Sequence, residues 1–348
     1  SWNKQIPKEP VVAVAGATGA VGSEFLEVLH DLDFPMSGIK LLASARSAGK
    51  KLYFKGAGKV QAGEYEVEEM TPQSFEGVDI ALFSAGSDIS KQLREAVVSS
   101  GAVMIDNSSA FRMCDDVPLI VPEVNPEDTD WQPGVIANPN CSTIQMMVAL
   151  APLNKISPIT RVVTSTYQAT SGAGAPAMQE LYEQSRSYLD GKRGEELVVE
   201  NFQHQIAFNC IPHIDVFADE DYTKEEWKMV NETKKILHNE AIKVCATCVR
   251  VPVLRCHAES INVEFEEDVS VEAARKAIEA APGLVLMDDI DNNVYPMPGL
   301  LAHSNDTFIG RLRKDISCDK GLVFWCVADQ IRKGAALNAV QIAQLLIK

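Results

Sequence analysis

Val11-Val12-Ala13-Val14-Ala15-Gly16-Ala17-Thr18-Gly19-Ala20-Val21-Gly22 decides the fold. Its first five residues are a short apolar run, the pattern of a strand buried on both faces of a parallel sheet. Three glycines at spacings of three follow at once, and residues 23–32 then set Phe25, Leu26, Val28 and Leu29 at helical spacing. Strand, glycine turn and helix make the context in which such a string signals a dinucleotide site. Glycine lets the backbone approach a pyrophosphate, and the helix N-terminus offers it N–H groups. Outside that context the string describes an ordinary tight turn.

Outward from this turn, residues 39–43 form the next strand and lead into Ser44-Ala45-Arg46-Ser47-Ala48-Gly49-Lys50-Lys51. NAD-binding folds place an acid there for the ribose 2′-hydroxyl, whereas an arginine suits a 2′-phosphate. No acid is present, so NADP is the expected cofactor. The bland alternative is a solvated basic loop, but 48 acidic against 32 basic side chains give a net charge of −16, which makes a local basic loop less incidental. Strands over 65–69, 80–84 and 103–106, with a helix over 91–99, continue the alternation of a doubly wound sheet. Ser84-Ala85-Gly86 and Asn107-Ser108-Ser109 fall at strand carboxyl ends, where such sheets bind ligands, and Arg112 lies just beyond. The loop 56–63 reads as a surface insertion without catalytic meaning.

Asn138-Pro139-Asn140-Cys141-Ser142-Thr143 sets a cysteine between a turn signal and an apolar, helix-forming run. Asn140 is a good N-cap type. A sulfur at a helix N-terminus becomes a thiolate near neutral pH, although taken alone Cys141 reads more readily as a buried thiol. Beyond it, strands over 159–167, 245–253, 260–266, 283–287, 307–312 and 322–329 predict a second, mixed sheet with helices over 178–189, 223–239 and 271–280. A last helix over 332–347 is expected to pack back on the first domain. The fold class is therefore α/β: a Rossmann-type NADP-binding domain, residues 1–140 and 330–348, plus an α+β domain, 141–329, with a mixed sheet, which family resemblance alone makes the catalytic and dimerisation domain.

The 348 residues suit two domains, and the acidic surface repels nucleic acid and anionic membranes. Eight scattered cysteines in so large a chain imply reduced thiols rather than a disulfide framework, hence a cytoplasmic setting, or a plastid if a transit peptide was removed. Cys245 and Cys248 have a C-x-x-C spacing with no second pair, so no metal is expected. Ser1-Trp2-Asn3-Lys4 matches neither a secretory signal nor a native start.

The strings Gly16-Ala17-Thr18-Gly19-Ala20-Val21-Gly22, Asp106-Asn107-Ser108-Ser109-Ala110-Phe111-Arg112, Asn138-Pro139-Asn140-Cys141-Ser142-Thr143 and Arg250-Val251-Pro252-Val253-Leu254-Arg255-Cys256-His257 resemble, in order and spacing, the aspartate-β-semialdehyde dehydrogenase family. The likeness is greatest to the branch shared by Gram-positive bacteria and plants. The resemblance implies NADPH-dependent reduction of aspartyl 4-phosphate to the semialdehyde, with release of inorganic phosphate. It makes Cys141 the nucleophile, His257 the general acid/base with a pKa in the useful range, and Gln168 the residue orienting the intermediate. It assigns Arg250 to the substrate carboxylate, Glu225 to the ammonium, and Arg112 and Lys228 to phosphate, with Asn140 also at the substrate. For NADP it implies Gly16, Thr18, Gly19, Ala20 and Val21 at the pyrophosphate and Ser44, Arg46 and Ser47 at the 2′-phosphate. Ser171, Gly172 and Asn338 complete the cofactor set, Asn338 near the nicotinamide. A homodimer or homotetramer follows from the same likeness.

Each role has a plainer reading. His257 alone would be a satisfied core histidine, and Glu225 with Lys228, three apart on a helix, a surface ion pair. The nearest rival enzymes are N-acetyl-glutamyl-phosphate reductase and phosphorylating glyceraldehyde-3-phosphate dehydrogenase, which share the thioacyl chemistry. A short-chain reductase would use Tyr188 and Lys192 on one helix, but Asp190-Gly191 reads as a helix stop. A redox-sensing NADP-binding protein is the non-enzymatic alternative.

Overall fold

The computed structural model describes residues 5–347, so the reading of residues 1–4 falls outside it. The chain forms two compact units: one runs to Asn140 and resumes at Gly334, and the other is Cys141–Lys333.

The first unit is built on strands β1 (Val11–Ala15), β2 (Gly38–Ala43), β3 (Lys51–Phe54), β4 (Gly63–Glu69), β5 (Ile80–Phe83), β6 (Val103–Asp106) and β7 (Val135–Ala137), with helices α1 (Ala20–Asp31) and α2 (Ser87–Ser99). Their order is β3-β4-β2-β1-β5-β6-β7, and every pairing is parallel except that of β3 with β4. Strands therefore step outward from β1 in both directions. The crevice that this reversal opens lies at the carboxyl end of β1, where the glycine turn leaves the sheet. A Cβ on Gly16 (φ +88°) would stand 2.2 Å from the Ser84 carbonyl oxygen, and one on Gly22 2.1 Å from that of Gly16. Only glycine fits either position.

Two short strands were not expected from the sequence. β3 is an edge strand of four residues, too short to show its alternation, and β7 has only three. They change the account of residues 56–63. The Ala57 N–H donates to the Val60 carbonyl at 3.1 Å, Ala57 is buried in the core, and the Gly58 N–H donates to Asp33 Oδ1 at 3.0 Å. This loop is the connection of the β3–β4 hairpin, at the surface as expected at Gly58, Lys59, Gln61 and Ala62 but anchored in the core by Ala57. The expected helix over 332–347 also divides: a π turn, Arg332–Ala336, precedes the C-terminal helix Leu337–Leu346. Gly334 lies in that turn, where a residue of low helix propensity eases the change of winding.

The second unit contains helices α3 (Cys141–Asn154), α4 (Ala175–Leu189), α5 (Lys224–Ile236) and α6 (Val271–Ala280). Its strands are β8 (Ile159–Gln168), β9 (Lys243–Arg250), β10 (His257–Phe265), β11 (Leu284–Leu286), β12 (Thr307–Lys314) and β13 (Gly321–Ala328). The order is β11-β12-β13-β10-β8-β9; β8–β9 and β11–β12 are parallel and the rest antiparallel, a mixed sheet as expected. α3 is apolar all round and buried along almost its whole length, as a helix without a polar face must be.

Register on this sheet places the chemistry. β9 stops at Arg250, short of Pro252, which has no N–H for a ladder, and β10 begins at His257 rather than Ser260. On one face Gln168 is opposite Arg250, and the next row sets Thr166 opposite Cys248 and Glu259, with Glu259 opposite Cys326. Helices α3 and α5 pack against strands of this sheet. Cys245 is exposed and Cys248 buried, as positions three apart on a strand must face opposite ways, so the C-x-x-C spacing does not converge. α4 stops at Leu189 and Gly191 adopts φ +92°, so Lys192 does not share a helix with Tyr188.

Candidate active site

In the first unit the glycine turn ends in α1, whose N-cap Gly19 has no side chain to occupy the first-turn N–H groups. That leaves backbone donors at the positive end of a helix, the usual cradle for a phosphate. Thr18 Oγ1 is 3.5 Å from Ser47 Oγ, so the turn lies beside the loop that follows β2, where Ser44 and Arg46 are exposed. The two parts of the expected dinucleotide site thus adjoin.

Three asparagines brace the other strand ends of this unit. Asn138 Nδ2 donates to Asn107 Oδ1 at 2.7 Å and to the Ala335 carbonyl at 3.1 Å. Asn338, expected beside the nicotinamide, is fully buried; its Nδ2 donates to Asn138 Oδ1 at 2.6 Å and to the Ile120 carbonyl at 3.0 Å. Its amide hydrogens are committed to the protein, which makes it a brace for the Asn138 segment. Arg112 is nearly as buried, with Nε on the Asn138 carbonyl and Nη2 on that of Asn107, both at 2.9 Å. It ties down the stretch leading to Asn140, also buried, ahead of Cys141. Asp106 anchors the same region: it accepts from Ser90 Oγ at 2.7 Å and Ser108 Oγ at 2.6 Å, while burial pushes its carboxyl above the usual range.

The second unit brings Gln168, Glu225, Lys228, Arg250 and His257 together. Gln168 Nε2 lies 3.2 Å from Glu225 Oε1 and 3.4 Å from His257 Nε2. Thr166 fixes that orientation by donating its hydroxyl to Gln168 Oε1 at 2.9 Å, which turns the amide nitrogen inward. Glu225 is buried on the first turn of α5, and Lys228 bridges it at 3.1 Å to Asp215 at 2.8 Å. Burial disfavours the Lys228 charge, but the two carboxylates outweigh it and hold the ammonium above its usual value. The surface-pair reading of Glu225 and Lys228 thus gives way to a buried carboxylate tied to Gln168.

Arg250 is buried at the end of β9, with Nη1 on the Ala169 carbonyl at 2.7 Å and the guanidinium 5.9 Å from the centre of the Phe202 ring. Burial lowers its pKa, opposed by Glu225 and by the charge of a Cys141 thiolate, so arginine and sulfur share one electrostatic neighbourhood. The Gly172 backbone closes over these groups: a Cβ there would meet Arg250 Nη1 at 2.8 Å and His257 Nε2 at 3.2 Å. Ser171, beside it, is buried and accepts from Gln330 Nε2.

His257 has no exposed surface, and the Ala169 N–H donates to its Nδ1 at 3.0 Å. Burial, then the positive charge of Arg250, holds its pKa well below the usual histidine value. This corrects the expectation of a pKa in the working range: the ring is neutral, with its proton on Nε2. It is arranged to donate from Nε2 to a developing negative charge.

Thr166, Ala169, Asp215 and Gly172 as a spacer were not visible as site residues in the sequence. Thr166 could have been found from strand alternation, two residues before Gln168. Asp215, in an irregular stretch at φ +68°, carries no such signal. Among the described residues no group of His, Cys, Asp and Glu is arranged to hold a metal, and no helix is long and apolar enough to cross a membrane.

A glycine turn at a parallel sheet's switch point in one unit, and in the other a helix-opening cysteine coupled to a buried arginine that neighbours a buried histidine, are features of nicotinamide-dependent oxidoreductases that work through a thiol. Residues 11–132 match the family model described as semialdehyde dehydrogenase, NAD binding domain, and residues 150–333 the one described as semialdehyde dehydrogenase, dimerisation domain. The aspartate-semialdehyde dehydrogenase of Aquifex aeolicus is 54% identical over 340 residues, covering 97% of this chain and 98% of that one. That of Bacillus subtilis is 49% identical over 342 residues, 97% of each chain. Among solved structures, aspartate semialdehyde dehydrogenase II of Vibrio cholerae complexed with ASA superposes with a TM-score of 0.91 at 44% identity, covering 97% of this chain and 98% of that one. The Candida albicans enzyme with NADP gives 0.73 at 26% identity, covering 97% and 98%. The chain belongs to the aspartate-semialdehyde dehydrogenase family.

Proposed function

We propose that this chain converts L-aspartyl 4-phosphate and NADPH to L-aspartate 4-semialdehyde, NADP and inorganic phosphate, a step in the biosynthesis of lysine, methionine, threonine and isoleucine. The observation that carries the reading is the buried group of Gln168, Glu225, Arg250 and His257, with the half-buried Lys228 paired to Glu225. One forked cation and one carboxylate complement the carboxylate and ammonium of an amino acid, which neither N-acetylglutamyl phosphate nor a triose phosphate presents together.

NADP fits the first unit, because the glycine turn leaves the first-turn N–H groups of α1 without a side-chain cap, beside the loop that carries Ser44, Arg46 and Ser47. Gly16, Thr18, Gly19, Ala20 and Val21 hold the pyrophosphate, and Ser44, Arg46 and Ser47 the 2′-phosphate. Ser171 and Gly172 complete the set, and Asn338 acts through Asn138. When bound, the nicotinamide supplies a hydride to the acyl carbon.

Arg250 takes the substrate carboxylate and Glu225 its ammonium. Cys141 attacks the acyl carbon as the thiolate, the C–O bond to phosphate breaks, and a thioester remains on sulfur. Arg112 and Lys228 attract the phosphate, and Asn140 lines the substrate position. His257 donates its Nε2 hydrogen bond to the oxyanion formed at each addition, and Gln168 keeps the acyl group in line. Loss of sulfur from the reduced carbon gives the aldehyde and restores the thiolate. The dimerisation-domain match and cysteines without disulfides support a cytoplasmic homodimer or homotetramer.

The test is phosphate-dependent oxidation, with NADP, of aspartate semialdehyde, N-acetylglutamate semialdehyde and glyceraldehyde 3-phosphate. Turnover confined to the first is expected, and comparable rates on all three sink the reading.

A further inference from the structure

The row behind His257 contains a carboxyl for which the chemistry above has no use. Glu259 lies two residues along β10 on the same face, fully buried, and neither of its oxygens has a hydrogen-bond partner. An ionised carboxylate so placed is very costly, whereas the neutral acid carries an O–H donor that needs only an acceptor. The titratable groups around it are His257 on its own strand, Cys326 on β13, Cys248 on β9, and Glu225 and Glu226 on α5. None is a cation that would hold Glu259 ionised. Burial and then the Glu225 carboxylate push the Glu259 carboxyl well above its usual range.

The complementary acceptor stands on α3. Gln145 reaches the His257 carbonyl through Nε2 at 3.4 Å, but its buried Oε1 has no partner. Its backbone carbonyl accepts from Cys326 Sγ at 3.9 Å, and Cys326 is the residue paired with Glu259. Gln145 therefore lies over the same stretch of sheet as Glu259. It is also four residues after Cys141, on the same face of the helix.

We infer that the neutral Glu259 carboxyl donates through a buried water to Gln145 Oε1, and that this bridge fixes the first turn of α3, and with it Cys141, against His257. Two buried polar atoms over one stretch of sheet, an orphaned acceptor and, in the neutral acid, an orphaned donor, are groups that a buried water can satisfy together. Glu259 is a positioning residue, since it touches no reacting atom. The inference rests on the roles of Cys141 and His257 proposed above.

The test uses Glu259→Gln, Glu259→Ala, Gln145→Leu and the Glu259→Ala/Gln145→Leu double variant in the full-length chain. Glutamine offers the donor and acceptor of the neutral acid, so kcat and KM for Glu259→Gln stay within about threefold of wild type. Glu259→Ala and Gln145→Leu each lower kcat by about 30-fold with little change in KM, because a slightly displaced nucleophile reacts far more slowly. The double variant is no worse than either single one. Alkylation of Cys141 by iodoacetamide, followed by peptide mass, slows in parallel. The infrared difference spectrum of wild type against Glu259→Gln contains the carbonyl stretch of a protonated acid. A carboxylate band in its place, glutamine rescuing no better than alanine, or losses that add overturn the bridge. If Glu259→Ala does not fold, the infrared band and the Glu259→Gln kinetics still decide. Wild-type chain inactive on aspartate semialdehyde would sink the functional reading instead, leaving the infrared and alkylation results to judge the bridge.

Discussion

Cys141 is the first residue of a fourteen-residue helix and is electrostatically coupled to the buried Arg250. Both the helix end and the guanidinium favour its thiolate. Replacing it by alanine removes the nucleophile, and serine is too poor a nucleophile at neutral pH to substitute. Turnover is expected to vanish in Cys141→Ala and Cys141→Ser while NADPH binding, measured by fluorescence titration, is retained; persistent turnover in the alanine variant removes Cys141 from the chemistry. His257 is predicted to matter in a different way. For His257→Asn, whose shorter amide does not reach the oxyanion, kcat should fall by about 10² or more with a modest change in KM. A large rise in KM at normal kcat would make His257 a binding residue. Because its pKa is depressed in the fold, the unfolded chain takes up its proton first as pH falls. Its contribution is therefore complete above the usual histidine value of about 6.5 and declines below it. Thermal unfolding of His257→Gln between about pH 7 and about pH 5 should show a shallower loss of Tm than wild type.

At the scale of elements, α5 presents Glu225 and Lys228 only if its first turn is fixed. The Glu226 N–H donates to Thr223 Oγ1 at 3.3 Å and the Thr223 N–H to Glu226 Oε2 at 2.8 Å, a reciprocal capping box. Glu226 also accepts from the Cys248 N–H at 2.9 Å, fastening the helix to β9. Thr223→Ala should cost about 1 kcal/mol in urea unfolding. It should also raise the KM for the semialdehyde more than it lowers kcat, since the turn carrying Glu225 frays; an unchanged KM would separate capping from substrate binding. The cap, Thr followed three residues later by Glu, was not read from the sequence, whereas the helix over 223–239 was legible. So was the β1–glycine–α1 unit, where apolar run, turn and helix are contiguous. What escaped the sequence depends on register between distant strands. Nothing local sets Glu259 beside Cys326, or says that Ala169 will offer its N–H to the His257 ring. The short β3 and β7 escaped for another reason, because three or four residues give no period to read. His257 was singled out in the sequence without its ionisation, which follows from complete burial beside Arg250.

The first unit is discontinuous in sequence, with its last helix contributed by the C-terminal stretch. Leu337, Val340 and Ile342 are buried in one cluster with Phe25, Leu29 and Ile105, and Asn338 adds its two amide bonds inside the same unit. Burying three such side chains is worth roughly 5–8 kcal/mol, against about 5–15 kcal/mol for the whole stability of an ordinary domain. Removing residues 334–348 should therefore unfold this unit rather than loosen it, with loss of NADPH binding and exposure of apolar surface to a dye. Residues 1–140 alone should fail in the same way. Fusing 334–348 to residue 140 through a flexible linker should restore a cooperative unfolding transition and NADPH binding, because it returns the missing face of the core without any of Cys141–Lys333. A truncated chain that melts at the wild-type Tm and binds NADPH normally would show that the helix only covers a core that is already complete. The same discontinuity sets an order of folding: Cys141–Lys333 is available as one continuous segment before the first unit can close, so refolding should yield protected amides in β8 and β10 before those in β1.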